Sequence, residues 1–316
     1  MTLTRRDLAK LVLSVPAAGL LSKDAIAAML AAKPDSTFAG VQIGMNVPYN
    51  FGVRTMPVDE VIAKTAQLGV SAVELRSQPI ELALGVGQDV LEPGREKAAQ
   101  QKAAQALREW RLKTDPAKAA AVKKQFDEAG IKVGVVKFDG IYDFSDPELD
   151  YAFALAKAAG AHAISCELEV EGSKRVGQFA DKHSFMVGYH GHTKTPEAMF
   201  EQAFSFAKHN GANLDIGHYI AGNLGNPVEF LKKHHDRVTH IHVKDRKAGA
   251  NGVDGVNTPF GEGDTPIKQV LQTIRDNKWP IQATIEFEYK VPDGSDRMAE
   301  MAKCVAFCKA ALLAKS

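Results

Sequence analysis

The chain has 316 residues, of which 45% are hydrophobic and 24% are charged, and its formal net charge is +1 at pH 7. This length allows one large α/β domain with a full core, and the composition is ordinary for a soluble globular protein. A charge so close to zero provides no field that would steer the chain to nucleic acid or to an acidic membrane surface, so a small uncharged or weakly charged substrate is favoured.

The first 27 residues predict an export signal. Arg5 and Arg6 stand before an apolar run over 11–21 that is too short to cross a bilayer as a helix. The small residues of Ala25-Ile26-Ala27-Ala28 follow as a cleavage context. Paired arginines in this position resemble the twin-arginine signal of bacteria. We predict a signal peptide over 1–27, a mature domain over 28–316 and a periplasmic or exported location. An amphipathic first helix of the domain is the alternative.

Strand-like and helix-like patterns alternate along the rest of the chain. Eight short apolar runs predict strands at 41–45, 72–75, 133–138, 163–167, 185–189, 213–216, 238–243 and 282–287. Helical patterns between and after them include 58–68, 149–159, 197–209, 227–235, 267–277 and 297–314. This alternation predicts a single-domain (β/α)8 TIM barrel. A doubly wound open sheet is the alternative, but no Gly-x-Gly-x-x-Gly turn follows the first strand.

Two segments are longer than a minimal strand–helix repeat requires. Residues 91–125, rich in Ala, Lys and Gln, predict a helical insertion after the second strand, with its charges on a solvated face. Residues 246–264, rich in Gly and Asn, predict a long loop after the seventh strand. Loops of this length on the catalytic face of a barrel often act as lids.

Metal-binding side chains stand at the ends of the last four predicted strands. These side chains are His190 and His192, Asp215 and His218, His240 and His242, and Glu286. Because the carboxyl ends of barrel strands meet at one face, we expect them to lie close together. A lone histidine in a strand is more often structural than a ligand, but five of the chain's ten histidines fall in these stretches. Mixed oxygen and nitrogen donors suit Mn²⁺, Co²⁺, Zn²⁺ or Fe²⁺.

The order of these motifs resembles the xylose isomerase-like TIM barrel superfamily, in particular its sugar phosphate isomerase/epimerase family. Four stretches carry the resemblance: Tyr189-His190-Gly191-His192, Asp215-Ile216-Gly217-His218, His240-Ile241-His242-Val243-Lys244-Asp245 and Gly261-Glu262-Gly263-Asp264. The first resembles the Tyr-His-x-His strand of a subgroup in which His replaces a Glu ligand. The resemblance extends over about residues 38–312. It implies the metal ligands His190, Asp215, His242 and Glu286, with Mn²⁺ favoured, and a homo-oligomer. Glu167 is the alternative to His190 as the fourth ligand.

Residues around the ligands also have expected roles. The expected catalytic residues are Glu167, His218, Lys137 and Lys244, and the expected substrate-binding residues are His192, His240 and Asp245. A metal-bound imidazole cannot easily take the substrate proton, so the base must lie elsewhere. Glu167 is the candidate, with its pKa raised by partial burial. In the alternatives Glu167, Lys137 and Lys244 are ordinary surface residues.

The function implied is a metal-dependent sugar isomerase or epimerase that acts through an enediolate. A lyase that cleaves 3-keto-glycosides by the same chemistry is the close alternative, because the motifs do not choose between these reactions. A nuclease is disfavoured: the superfamily's abasic-site endonucleases carry an Asp-x-His in the loop after strand seven, and here that loop holds Asp254 but no His. A non-catalytic sugar-binding protein is the remaining class. The expected partner is a small sugar or keto-sugar, with no nucleic acid and no membrane after signal cleavage.

Overall fold

The computed structural model describes residues 33–315, and the predicted signal peptide over 1–27 lies outside the described residues. Eight parallel strands form the barrel: β1 (Val41–Val47), β2 (Ala72–Arg76), β3 (Lys132–Lys137), β4 (Ala163–Glu167), β5 (Met186–His190), β6 (Asn210–Asp215), β7 (Val238–Val243) and β8 (Gln282–Ile285). A two-residue strand, Thr37–Phe38, pairs antiparallel with β1 as the ninth strand of the sheet. Each barrel strand pairs with the next in the chain, and β8 pairs with β1, so the sheet closes. The predicted single-domain (β/α)8 TIM barrel is confirmed.

Twelve α-helices surround or cap the barrel within the described residues. They are α1 (Val58–Gln67), α2 (Ser77–Ala83), α3 (Gln88–Leu91), α4 (Lys97–Lys113), α5 (Ala120–Ala129), α6 (Asp146–Ala158), α7 (Val170–His183), α8 (Glu197–Phe206), α9 (Ile216–Ala221), α10 (Pro227–His234), α11 (Ile267–Asn277) and α12 (Arg297–Leu313). Three short 3₁₀ turns, Tyr49–Phe51, Pro116–Ala119 and Ile141–Asp143, add to the loops. Between residues 33 and 315, we find no helix with the length and apolarity needed to span a bilayer.

The predicted insertion over 91–125 is helical, but it is not one helix. Helix α4 ends at Lys113, and the Asp115 side chain caps a 3₁₀ turn that begins with Pro116. Proline lacks a backbone N–H and therefore starts a helical turn more readily than it continues one. Buried Arg111 anchors α4 to α2, because its Nε donates to Glu81 Oε1 at 2.7 Å.

The sixth strand begins three residues earlier than its sequence pattern predicts. Asn210 falls between the predicted helix over 197–209 and the predicted strand at 213–216, whereas α8 ends at Phe206 and Asn210 is a buried strand residue. The Asn210 amide donates to Ala203 O at 2.8 Å, and its oxygen accepts from the Tyr189 hydroxyl at 3.0 Å. These tertiary hydrogen bonds satisfy a polar side chain that propensity alone places in a turn.

Every residue of β2, β6, β7 and β8 is buried, as expected for parallel strands covered on one face by helices and on the other by the barrel interior. Alternate residues along each strand face the interior. The last residues of β4 to β8 therefore reach one end of the barrel, and the functional site lies there.

Candidate metal centre

Four metal-binding side chains converge at the carboxyl ends of β5 to β8. His190 and Asp215 end their strands, His242 lies one residue before the end of β7, and Glu286 follows β8 directly. All four are buried, and one donor atom from each lies within 4.8 Å of the others. His190 Nε2 is 3.3 Å from Asp215 Oδ2, and His242 Nδ1 is 3.4 Å from Glu286 Oε1. These are the four residues that the sequence predicted as ligands.

The donor set fits a divalent cation. His242 Nδ1 is fully buried and has no hydrogen-bond partner among the described residues, which is costly unless something binds it. Burial would raise the pKa values of Asp215 and Glu286, but Lys244 and the neighbouring histidines hold both well below the usual range. Two ionised carboxylates and two imidazoles then match the charge and ligand preference of Mn²⁺, Co²⁺, Zn²⁺ or Fe²⁺.

Both ligand histidines are oriented by a carboxylate. His190 Nδ1 lies 2.8 Å from Glu167 Oε2, which leaves Nε2 on the side of Asp215. His242 Nε2 lies 2.5 Å from Glu74 Oε2, which leaves Nδ1 toward the other ligands. A carboxylate on the far nitrogen fixes the ring orientation of a metal-binding histidine.

The two ligand carboxylates are also fixed. Asp215 caps α9 because its Oδ1 accepts the backbone N–H of His218 at 2.7 Å, and this leaves Oδ2 for the centre. Glu286 Oε1 accepts from the Asn46 amide at 3.0 Å. Rigid second contacts of this kind reduce the entropy that the side chains lose when an ion binds.

Glu167 accepts hydrogen bonds from three side chains. Lys137 Nζ donates to Oε1 at 2.6 Å, and the rings of His190 and His192 reach Oε2 at 2.8 and 2.6 Å. The expected rise of its pKa is wrong. Burial does act to raise the pKa of Glu167, but the hydrogen bonds from both histidines and the charge of Lys137 outweigh it and lower the pKa well below the usual range. Glu167 is therefore an anion that joins three other site residues.

Lys137 and Lys244 are not surface lysines, because each is only 2% exposed. Lys244 Nζ lies 2.5 Å from Glu286 Oε2, 3.1 Å from Asp215 Oδ2 and 2.8 Å from Glu288 Oε2. Burial would lower the pKa of Lys244, but these three carboxylates raise it. The ammonium group therefore stays charged beside two of the candidate metal ligands.

His218 lies between two cations. Its Nε2 is 3.1 Å from Lys244 Nζ, and its Nδ1 is 2.5 Å from an Arg246 guanidinium nitrogen. Burial, assisted by the charge of Lys244 and opposed by Asp215, lowers the pKa of His218 to about 4. The ring is therefore neutral at physiological pH and can accept from Arg246.

The three predicted substrate-binding residues differ in accessibility. The His192 side chain is 56% exposed and lies next to His190 and His218, with ring centroids 4.7 Å from each. His240 is fully buried, because it lies two residues before His242 on the same face of β7 and thus one layer deeper in the barrel. The role of His240 in substrate binding stays a prediction.

The Asp245 carboxylate is bound by backbone groups of the protein itself. The carboxylate accepts backbone N–H groups from Gly261 at 2.7 Å, Gly263 at 3.0 Å and Thr265 at 3.2 Å. It thereby ties down the Gly-rich loop before α11, and a contact with substrate would require these bonds to break.

The long loop over 246–264 is folded onto the site's rim. Residues Asp245–Arg246 and Asn257–Thr258 form a short antiparallel pair. Thr193 Oγ1 donates to Asp254 Oδ2 at 2.6 Å, so the loop reaches the segment that follows β5. Its predicted behaviour as a lid stays a prediction.

Several site residues were missed by the sequence patterns. Glu74, Asn46, Glu288 and Arg246 contact the ligands or their neighbours. The sequence alone could have indicated a role for Glu74, because a carboxylate inside the apolar run Ala-Val-Glu-Leu is seldom buried without a partner. Arg246 and Asn46 gave no such indication, because polar residues near strand ends are common.

Residues 163–310 match the family model described as xylose isomerase-like TIM barrel. The chain is also 25% identical over 140 residues to an inosose dehydratase of Salmonella typhimurium, a match that covers 39% of this chain and 46% of that protein. The chain thus spans about half the length of the curated relatives it matches.

Two solved structures illustrate the fold. A xylose isomerase domain protein from Planctomyces limnophilus is similar with a TM-score of 0.58 and 18% identity, over 85% of this chain and 95% of that one. The 3-keto-D-glucoside 4-epimerase of E. coli is similar with a TM-score of 0.54 and 13% identity, over 84% of this chain and 97% of that one. At these identities the similarity shows the TIM barrel fold alone.

Proposed function

We propose that this chain, in which residues 163–310 match the xylose isomerase-like TIM barrels, is a divalent-metal-dependent enzyme that isomerises or epimerises a sugar through an enediolate. The observation that carries the proposal is the convergence of His190, Asp215, His242 and Glu286, where the buried His242 Nδ1 has no hydrogen-bond partner among residues 33–315. Mn²⁺ is the ion that the resemblance favours, and two carboxylates and two imidazoles without a thiolate also suit Co²⁺, Zn²⁺ or Fe²⁺.

The charged residues around the ligands suit enediolate chemistry. When bound, a divalent ion would polarise the substrate carbonyl and so acidify the neighbouring C–H group. Lys244 provides a preorganised ammonium at the same face of the site, where negative charge develops on substrate oxygens. Neutral His218 accepts a hydrogen bond from Arg246 at Nδ1 and adds no further positive charge beside Lys244.

We assign the proton transfer to the pair Glu167 and His192. Glu167 accepts His192 Nε2–H at 2.6 Å and so leaves Nδ1 as the free lone pair of a ring exposed to the cleft. A carboxylate that orients an imidazole base in this way is a recurrent catalytic arrangement. The lowered pKa of Glu167 suits the orienting role in the pair better than the role of an isolated base.

A lyase is the second candidate, and the similarity to an inosose dehydratase favours it. After the same proton is removed, expulsion of a β-substituent gives elimination, whereas return of the proton gives isomerisation or epimerisation. A 3-keto-glycoside lyase would use the same residues in the same way. The export route and a periplasmic location stay predictions, and they would place the enzyme among unphosphorylated sugars.

Proton exchange with solvent tests the proposal. We expect the purified protein with Mn²⁺ to incorporate deuterium from D₂O at a carbon next to the carbonyl of a sugar or 3-keto-glycoside, observed by NMR over a substrate panel. The product then separates isomerisation, epimerisation and elimination. Tight sugar binding without metal, and without exchange on any substrate, would instead support a non-catalytic sugar-binding protein and contradict the proposal.

A further inference from the structure

A buried carboxylate lies beneath the four candidate ligands and takes no part in the reaction proposed above. Glu74 lies on β2, on the opposite side of the barrel from β6 and β7, and is fully buried. An ionised carboxylate in a barrel interior is costly unless it is paired. Its partners therefore indicate what it does.

The partners of Glu74 are two histidines of β7. Glu74 Oε2 lies 2.5 Å from His242 Nε2 and 3.5 Å from His240 Nε2. A carboxylate oxygen at 2.5 Å from a ring nitrogen shares a hydrogen with that nitrogen.

We propose that Glu74 is a positioning residue that holds His242 with hydrogen on Nε2 and with the Nδ1 lone pair directed at Asp215 and Glu286. A neutral imidazole carries one N–H, so fixing it on Nε2 leaves Nδ1 free to bind a metal ion. His242 Nδ1 lies 3.7 Å from Asp215 Oδ2 and 3.4 Å from Glu286 Oε1. This inference rests on the proposed metal-dependent function and adds the residue that prepares its ligand.

A second metal ion in the group Glu74, His240 and His242 is the competing explanation, because donor atoms of these residues also lie within 4.8 Å of one another. Two ligand atoms that each lie about 2.1 Å from the same ion are separated from each other by roughly 3 Å or more. The Glu74–His242 separation of 2.5 Å is shorter and fits a shared hydrogen. In the four-ligand group, by contrast, the separations are 3.3 to 3.7 Å.

Metal affinity tests the inference without reference to turnover. We expect Glu74→Met to weaken Mn²⁺ binding by about 10- to 100-fold in calorimetric titration, and Glu74→Gln, which keeps a neutral acceptor, to weaken it less. Glu148→Gln is the matched control, because Glu148 is also buried but belongs to the capping box of α6. Glutamine can replace glutamate at the third helical position of a capping box, so this control should bind Mn²⁺ like the wild type.

The ring nitrogens of His242 provide a second readout that a merely structural role would not change. In Zn²⁺-loaded protein labelled with ¹⁵N-histidine, we expect wild-type His242 to bind through Nδ1 and to carry hydrogen on Nε2. We expect folded Glu74→Met to lose this pattern. His242→Gln identifies the resonances, and circular dichroism confirms that each variant is folded.

Three results would overturn the inference. Equal Mn²⁺ affinity in wild type and both folded Glu74 variants would show that Glu74 does not prepare the site. Two ions per wild-type chain and one per Glu74 variant would make Glu74 a ligand. A wild-type chain that binds no metal would overturn the proposed function and this inference with it, whereas the first two results leave the proposed function intact.

Discussion

Replacing Asp215 by asparagine is expected to lower kcat/KM by at least about 10³-fold, with a large loss of Mn²⁺ affinity. The change removes one of the two carboxylate charges that face the cation, yet it keeps the oxygen that caps α9. Loss of a metal's stabilisation of the transition state is worth several kcal/mol, and about 4 kcal/mol corresponds to 10³-fold. Steady-state kinetics and calorimetric titration measure the two effects.

Asp150→Asn is the matched control for this variant. Asp150 is a partly exposed aspartate on α6 that pairs with Lys182 and His183, away from the barrel end. The same chemical change there should leave both metal affinity and turnover close to wild type. An Asp215→Asn enzyme with unchanged metal content and activity would remove Asp215 from the ligand set.

Replacing Lys244 by methionine is expected to lower kcat by about 10²- to 10³-fold while Mn²⁺ binding is kept or strengthened. The ammonium lies next to Asp215 and Glu286, so its removal withdraws a competing positive charge from the ligands. The same removal takes away a preorganised donor at the position where substrate oxygens gain charge, and one such donor is worth about this factor. The opposite directions of the two effects distinguish this variant from one that merely damages the site.

Lys232→Met on α10 provides the comparison, because Lys232 is exposed and pairs with Glu229 three residues before it. It should leave kcat and metal affinity unchanged. If Lys244→Met instead loses metal as Asp215→Asn does, Lys244 acts by holding the ligands in place and not on the substrate.

The barrel and its four candidate ligands could be predicted because both depend on local pattern. Each strand is a short apolar run, and each ligand stands at or next to the end of one, so parallel packing alone brings His190, Asp215, His242 and Glu286 together. The residues at which the strands end were less predictable. Asp215 ends β6 because its side chain caps α9, and such a contact overrides the apolar run that continues into Ile216.

The residues that support the ligands could not be predicted in the same way. Glu74 and Asn46 contact residues 168 and 240 positions away in the chain. Their partners depend on the register of strands that meet only when the barrel closes. The pKa of Glu167 was predicted with the wrong sign for the same reason, because burial was foreseeable but its contacts with Lys137, His190 and His192 were not.

The position of a bound metal ion tests the central claim most directly. Crystals grown with Mn²⁺ and measured for anomalous scattering should show one strong peak between His190 Nε2, Asp215 Oδ2, His242 Nδ1 and Glu286, at the end of β5 to β8. An enzyme that turns over a sugar while no peak stands at this position, or while the ion lies elsewhere, would contradict the account.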